Sequence, residues 1–350
     1  MHLLRRILAA ALLALPLLDC GPVARAETGD PFAGDYGYPF HDGPGGINPA
    51  MINHVSGTMV DVSYDRQDTL QSVIAGSGSE RVSASTNAEA LTVATKTGFG
   101  LRYGLVLDYL KTEGHDDTVL DGSPFGSTVG FGRDQRNAAV LLSMPIARGF
   151  SVGLRYGYYW VTDSVDSGGG PFLSSAQSNS AAFAVATPSL TYSGERFALT
   201  LLYTPQVDVI DGVLAFQSPD EVQLLYLLRT GRRGTLVVEA TDANWAGLDS
   251  TEKRQLTVRF GERQRTTYGE LGAFLRYQGA FHASTDDATF DNIGRLGIDF
   301  EARLITTPRG AVTLVGSWLQ GAENDTTSDQ GSFQLQSSTF EGQIAYTQSL

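Results

Sequence analysis

The side chains that could perform chemistry are few and scattered in this chain. The five histidines are His2, His41, His54, His115 and His282. None falls in a segment with the alternating pattern of a strand, whereas a nucleophilic hydrolase built on a wall of strands needs a hydroxyl beside a histidine. His115 and His282 each stand near two aspartates, a faint likeness to the acid–histidine sites of barrel proteases that ordinary loop composition explains. We expect no enzyme activity and no metal site.

Cysteine and charge exclude further classes of function. The single cysteine, Cys20, lies in a segment that we expect to be removed, so disulfides, thiolate metal sites and thiol nucleophiles are absent from the mature chain. The 25 basic and 38 acidic residues give a formal charge of −13, and nucleic acid is an unfavourable partner for a surface of that sign. The glycines from 126 to 132 lack the lysine of a phosphate-binding loop. The sequence predicts no cofactor.

The N-terminus has the pattern of a secretory signal peptide. Arg5 and Arg6 precede an apolar run at 7–18, and Ala24 and Ala26 place small residues where a signal peptidase cleaves. The run is shorter than the roughly 20 residues of a membrane-spanning helix. A lipoprotein signal ending at Cys20 is the alternative, which Asp19 disfavours. We expect residues 1–26 to be cleaved after Ala26 during export from a Gram-negative cell.

Alternation of apolar and polar residues is the strongest signal in the rest of the chain. From Leu101 to Tyr109 the odd positions are large and apolar, while the even positions include Arg102 and Asp108. The same period of two recurs from Phe150 to Trp160 and in about a dozen further segments, as expected for strands with one lipid face and one polar face. Tyrosine and tryptophan stand near the ends of these apolar faces, as in the aromatic girdles of membrane barrels.

The connections between these segments alternate between short and long. Short connections centre on Gly98, Gly149, Gly194, 231–234, 263–265 and 308–310, and many carry arginine. Long acidic connections are expected over 67–86, 112–134, 162–180, 210–221, 243–253, 281–291 and 321–333. This rhythm predicts an all-β fold: a transmembrane antiparallel β-barrel of about 14 strands over residues 55–350 in the bacterial outer membrane. A soluble sandwich or propeller is the alternative.

The predicted environment supplies the first partners. The barrel wall would contact outer-membrane lipid and lipopolysaccharide, and the acidic loops either share divalent cations with lipopolysaccharide phosphates or are simply solvated. The sequence does not indicate the oligomeric state.

The inward parity of the strands predicts which residues line the lumen. They mix charged, aromatic and aliphatic side chains: Arg102, Asp108, Arg155, Tyr159, Leu225, Leu227, Arg259, Phe274 and Arg276. Mixed charges can form a wall-stabilising ion-pair network. Apolar residues among them are costly in a water-filled pore and favour a small hydrophobic solute.

A segment rich in proline and glycine, residues 27–54, precedes the first strand and ends in Asn48-Pro49-Ala50 and an apolar pair. Here the sequence resembles the FadL-type family of outer-membrane long-chain fatty acid and hydrophobic compound transporters. The resemblance implies a fourteen-stranded barrel with an N-terminal plug, or hatch, and places Asn48, Pro49 and Ala50 in it. The family's longer helical stretch before this motif is absent, and Asn48-Pro49 also fits a simple turn into the wall.

These patterns together predict a function. We expect an outer-membrane channel, of the porin type in a broad sense, for passive uptake of hydrophobic or amphipathic small molecules. The alternative is a non-transporting outer-membrane barrel with a structural, adhesive or assembly role.

Overall fold

The computed structural model describes residues 49 and 52 and the range 58–349. Within that range it leaves out 76–77, 97–99, 121–125, 169–173, 195, 212–213, 219, 232, 247–251, 285–288, 291–293, 308–309 and 329–330. The predicted signal peptide and most of the predicted plug, Asn48 and Ala50 included, therefore lie outside the described residues. No helix in the described part is long and apolar enough to cross a membrane.

Seventeen strands are described. They are β1 Met59–Ala75, β2 Gly78–Lys96, β3 Arg102–Leu120, β4 Gly126–Ala147, β5 Phe150–Gly168, β6 Ser174–Ser193, β7 Phe197–Thr204, β8 Val207–Asp211, β9 Leu214–Ser218, β10 Asp220–Arg229, β11 Gly234–Ala246, β12 Glu252–Thr266, β13 Gly269–Ser284, β14 Thr289–Phe290, β15 Arg295–Thr307, β16 Gly310–Ser328 and β17 Gly331–Ser349.

Fourteen of these strands form one closed antiparallel barrel. Strands β8 and β9 form a separate hairpin, and β14 pairs only with the end of β13. Closure comes from β1 pairing with β17, where Met59 lies opposite Ser349 and Ala75 opposite Phe333. The predicted all-β barrel and its strand number are confirmed.

The wall alternates between an exposed apolar outside and a buried inside. On β3, Tyr103, Leu105 and Leu107 are 45–47% exposed, whereas Val106 and Asp108 are buried. The same exposure of large apolar side chains recurs on the outer face of β1, β4, β5, β12, β13, β15, β16 and β17. A continuous apolar outer surface of this kind matches the lipid-facing band of a membrane barrel.

The strands are longer than the sequence predicts. Residues 67–75 belong to β1, 78–86 to β2 and 112–120 to β3. Most residues of the expected long loops are therefore paired in strands. Beyond a lipid band both faces of a strand meet water, and the apolar alternation that marks a strand disappears although the backbone pairing continues. The prediction of loops over 67–86 and 112–134 is wrong for this reason.

One short turn also lies elsewhere than predicted. Residues 263–265 continue β12, and the chain turns at Thr267 and Tyr268 before Gly269, whose φ is +150°. Arg263 points inward to a carboxylate, so its charge is a feature of the lumen and not of a turn. At Gly149, with φ +77°, the predicted turn is present. We call the end of the barrel that carries these short turns the turn end.

The wall is discontinuous between β6 and β7. Strand β6 pairs with β5 along its whole length, but with β7 only from Ser189 to Ser193. At Thr204 the β7 ladder ends. The β8–β9 hairpin lies next to β6 without pairing with it and carries on the β7–β10 register, since Thr204 lies opposite Glu221 and Val207 opposite Ser218. Proline at 205 and 219 marks both sides of the break, and proline cannot donate a ladder hydrogen bond.

Candidate functional site

Two apolar clusters line the inner wall near the turn end. The first consists of Ala198, Leu227, Val237 and Phe274 on β7, β10, β11 and β13, with Leu225 packed against it. The second joins Ile52 to five residues at the inner face of β1–β4: Met59, Ala94, Val106, Ala139 and Leu141. Pro49 is buried, and Ile52 is fully buried in the second cluster. The chain ahead of the first strand therefore lies against the inside of the barrel at residue 52.

Phe274 occupies a space that two glycines leave open. A Cβ placed on Gly261 would lie 2.7 Å from the Phe274 ring, and one on Gly272 would lie 2.6 Å from it. The guanidinium of Arg259 lies over the other side of the ring, 3.7 Å from its centroid. A cation over an aromatic face is attracted to it, more strongly where water is excluded. The contact fixes both side chains at the boundary between the apolar cluster and the next layer.

That next layer is a buried ion-pair network. Asp299 is fully buried and accepts hydrogen bonds from Arg259 at 2.8 Å and from Arg276 at 3.0 Å. Arg259 also pairs with Glu239 at 3.2 Å, and Arg276 with Glu341 at 3.1 Å. Removing one member of such a network leaves an uncompensated buried charge, which costs about 3–5 kcal/mol. The network joins five strands of the wall, β11, β12, β13, β15 and β17.

A smaller polar group faces the network from β3, β4 and β5. Asp108 is buried and accepts hydrogen bonds from Arg155 at 2.9 Å and from Asn137 at 2.7 Å. The neighbouring Tyr159 stacks on Phe183 with ring centroids 5.4 Å apart. The inner surface thus combines charged pairs that satisfy one another with aromatic faces.

A cavity of about 330 Å³ opens beside the ion-pair network. Its apolar lining includes Leu202, Leu225 and Leu319, and its basic lining is Arg259, Arg276 and Arg295. Arg259 and Arg276 are neutralised by the acids of the network. Arg295 has no ion-pair partner among the described residues. The cavity therefore offers leucine side chains, within a mainly polar lining, beside a cation that has no ion-pair partner in the described part of the chain.

The structure places the nine residues predicted to line the lumen as follows. All lie on the barrel wall at buried or half-buried positions: Arg102, Asp108, Arg155, Tyr159, Leu225, Leu227, Arg259, Phe274 and Arg276. Leu225, Arg259 and Arg276 line the cavity, and Leu227 and Phe274 belong to the first apolar cluster. Arg102 lies near the turn end, where its buried Nη1 has no hydrogen-bond partner in the described part.

Several contacts went unrecognised in the sequence. Glu239 and Glu341 complete the ion-pair network. Their inward parity was readable from the alternation of β11 and β17, but their partners lie on other strands and depend on register. Ile52 falls in the predicted plug, but nothing in the sequence identifies the inner face of β1–β4 as its contact. The described residues hold no group of three or more histidine, cysteine, aspartate or glutamate side chains that could bind a metal.

Comparison with known proteins finds similarity in structure alone. No family model matches the sequence, and no curated protein matches it. Among solved structures, a TodX mutant described as a monoaromatic hydrocarbon channel has a TM-score of 0.64 at 11% identity, covering 87% of this chain and 93% of that one. A Pseudomonas aeruginosa FadL homologue has a TM-score of 0.63 at 11% identity, covering 92% and 97%.

A third example agrees with these two. The Ralstonia pickettii toluene transporter TbuX has a TM-score of 0.53 at 12% identity, with 90% of this chain and 99% of that chain covered. At such identities the comparisons show the fold. The chain has the barrel fold of the FadL-type transporters, as the resemblance around Asn48-Pro49-Ala50 implied.

Proposed function

We propose that this protein is an outer-membrane channel for passive uptake of hydrophobic or amphipathic small molecules. The observation that carries the proposal is the cavity of about 330 Å³ inside the barrel, whose mainly polar lining includes Leu202, Leu225 and Leu319. Its size is at the lower end of the range of about 300–1,000 Å³ found for small-molecule sites. Leucine side chains lining a lumen are unfavourable in contact with water and are stabilised by an apolar solute.

The surface and the neighbours support the same proposal. The apolar outside of the wall fits a bilayer, and barrels of similar structure include a monoaromatic hydrocarbon channel and a toluene transporter. Residues 27–54 form the proposed plug, consistent with the burial of Pro49 and Ile52. Outer-membrane lipid and lipopolysaccharide are the proposed surroundings of the wall, and no cofactor is invoked. The signal peptide is proposed to end at Ala26.

A binding measurement on the purified barrel tests the proposal. We expect 1-N-phenylnaphthylamine, an apolar fluorophore, to bind saturably, and Leu225→Trp to reduce its affinity about tenfold by filling the cavity. Leu275→Trp is the matched control, because Leu275 is 65% exposed on the outer face and its replacement leaves the cavity unchanged. Equal binding by both variants would mean that the fluorophore binds the apolar outer surface and not the cavity. That result would favour the structural or adhesive role.

A further inference from the structure

A second concave site lies on the outside of the barrel, at the end opposite the turn end. It is a depression of about 520 Å³ over β1, β2, β3 and β17, and we call it the outer groove. Eight of its lining residues belong to the outer face of their strands: Asp68, Leu70, Ser83, Ser85, Glu113, His115, Ser338 and Phe340. The outside of a barrel is convex, so a concave site there depends on the local sequence.

Small side chains on β2 form the floor of the outer groove. Ser83 lies opposite Leu70 of β1 and opposite His115 of β3. Ser85 lies in the same way between the two acidic residues of the groove. Side chains directly opposite each other on one face of a sheet are neighbours. The larger side chains of β1 and β3 therefore stand as two walls beside the serines.

The outer groove lies beyond the lipid-facing band. Tyr64 and Tyr109 mark the edge of this band, because their hydroxyls donate to Asn87 at 2.9 Å and to Asp134 at 3.1 Å, further from the turn end. The walls of the groove begin four residues beyond these tyrosines, roughly 10 Å further from the membrane for a strand tilted by about 40°. The headgroups of a phospholipid leaflet are only about 5–7 Å deep. A lipid that fills the groove therefore needs a taller headgroup.

The charges at the outer groove balance. Arg66 pairs with Asp68 at 3.1 Å, and Lys111 pairs with Glu113 through Oε1. These exposed pairs contribute little to stability, but they leave the groove without an excess of positive charge for a phosphate. The site therefore favours a ligand that is bound through uncharged hydroxyl groups.

Polar side chains of the outer groove are available to such a ligand. Within the described part of the chain, no side-chain hydrogen bond or ion pair engages Ser83, His115 or Ser338. A carboxylate accepts up to about four hydrogen bonds, so Glu113 can accept from a ligand while it pairs with Lys111. Hydroxyl, imidazole and carboxylate groups together donate to and accept from the hydroxyls of a sugar.

We propose that the outer groove binds the sugar headgroup of lipopolysaccharide, with the acyl chains of this lipid against the apolar wall below. Leu70 is 37% and Phe340 58% exposed, and both offer an apolar surface to the C–H groups of a sugar ring. The groove continues the lipid-facing band toward the outside, where such a headgroup lies. The inference names a partner of the proposed channel and rests on the proposed function only for the outer-membrane location.

Native mass spectrometry of the full mature chain in detergent tests the site. With lipopolysaccharide of short sugar core as the probe, we expect one bound molecule per barrel. Ser83→Trp should lower the affinity at least tenfold, because an indole fills the floor of the groove. The matched control is Ser164→Trp, since Ser164 is an exposed outer residue of β5 at the register of Ser85 and outside the groove. Equal affinities of the two variants would overturn the proposal.

Glu113→Gln distinguishes a bound sugar from a bound phosphate. The proposal predicts several-fold weaker binding of lipopolysaccharide, because hydrogen bonds to a charged acceptor are stronger than those to an amide. Recognition of phosphate by Lys111 predicts the opposite, since the substitution removes the acid that neutralises this lysine. Unchanged or tighter binding would therefore contradict a sugar site.

Phosphatidylglycerol, which has acyl chains and a phosphate but no sugar ring, is the second probe. We expect it to bind at least tenfold more weakly than lipopolysaccharide and equally to the native chain and to Ser83→Trp. Equal affinity for the two lipids would overturn the assignment. The same Ser83→Trp variant should bind 1-N-phenylnaphthylamine as the native chain does, so the outer groove and the proposed channel function succeed or fail separately.

Discussion

Arg295 adds a cation to the mainly polar lining of the cavity. Its neighbours Arg259 and Arg276 form ion pairs with Asp299, Glu239 and Glu341. Arg295 faces the same space without an ion-pair partner among the described residues. A half-buried guanidinium beside leucine side chains suits a molecule with an apolar body and an anionic head, because charge-assisted hydrogen bonds are strong where water is scarce.

Arg295→Gln tests this role of the cation. We expect decanoate to bind the variant about tenfold more weakly, since a hydrogen bond to a charged group contributes about 1.5–3 kcal/mol. Decanol, which has the same chain and no charge, should bind both proteins equally. Calorimetry on the purified barrel measures the two affinities, and Arg81→Gln, at an exposed position of β2, is the control substitution. A parallel loss for decanol would show that Arg295 only shapes the cavity.

The face of a strand on which a residue lies was predictable from the sequence. Which residues of other strands it contacts was not. Alternation put Asp108, Arg155, Arg259 and Arg276 on the inner face, and they lie there. That Arg155 meets Asp108, 47 positions away in the chain, depends on the register of three strands. Period two defines a face and carries no information on which residues of neighbouring strands stand opposite.

The wall has a seam between β6 and β7, where most of β6 has no strand paired to one of its edges. Inside a bilayer, backbone groups that lack a partner cost several kcal/mol each. Among the described strands, β6 from 177 to 188 has a ladder partner only on its β5 side. The hairpin β8–β9 lies beside β6 and continues the β7–β10 register, but it forms no ladder with β6.

Replacing both prolines tests this explanation of the seam. In Pro205→Thr/Pro219→Thr we expect β8 to join β6, because threonine supplies the missing N–H and favours strands. Hydrogen exchange of the alternate β6 amides in 177–188 that face the seam should slow by at least about tenfold. If those amides in the native protein already exchange as slowly as the paired ones at Ser189–Ser193, the seam is closed in solution and the account of it is wrong.

Elements were predictable where lipid imposes a pattern. The apolar alternation located the membrane-spanning part of the wall, including β3 and β5. It failed where water meets both faces, so the extensions of β1 to β3 were mistaken for loops. It also failed at 263–265, where Arg263, an inward arginine with a carboxylate partner, resembles a turn residue in type.

At the scale of the whole molecule, the barrel has an apolar exterior, and the character of its interior changes along the barrel axis. The two apolar clusters lie near the turn end, and the ion-pair network and the cavity lie above them. A barrel of this strand number is too wide for its own side chains to fill. Its interior therefore has room for a solute, and this room is the reason to prefer the proposed transport to a structural role.

Uptake by intact cells tests this central claim most directly. A Gram-negative host without channels of this type should take up radiolabelled decanoate several-fold faster when it makes the protein, since lipopolysaccharide slows the entry of apolar compounds. The account predicts that Leu225→Trp abolishes the gain while Leu275→Trp, equally abundant in the outer membrane, retains it. Uptake that is the same with the native protein, with Leu225→Trp and with no protein would contradict the account.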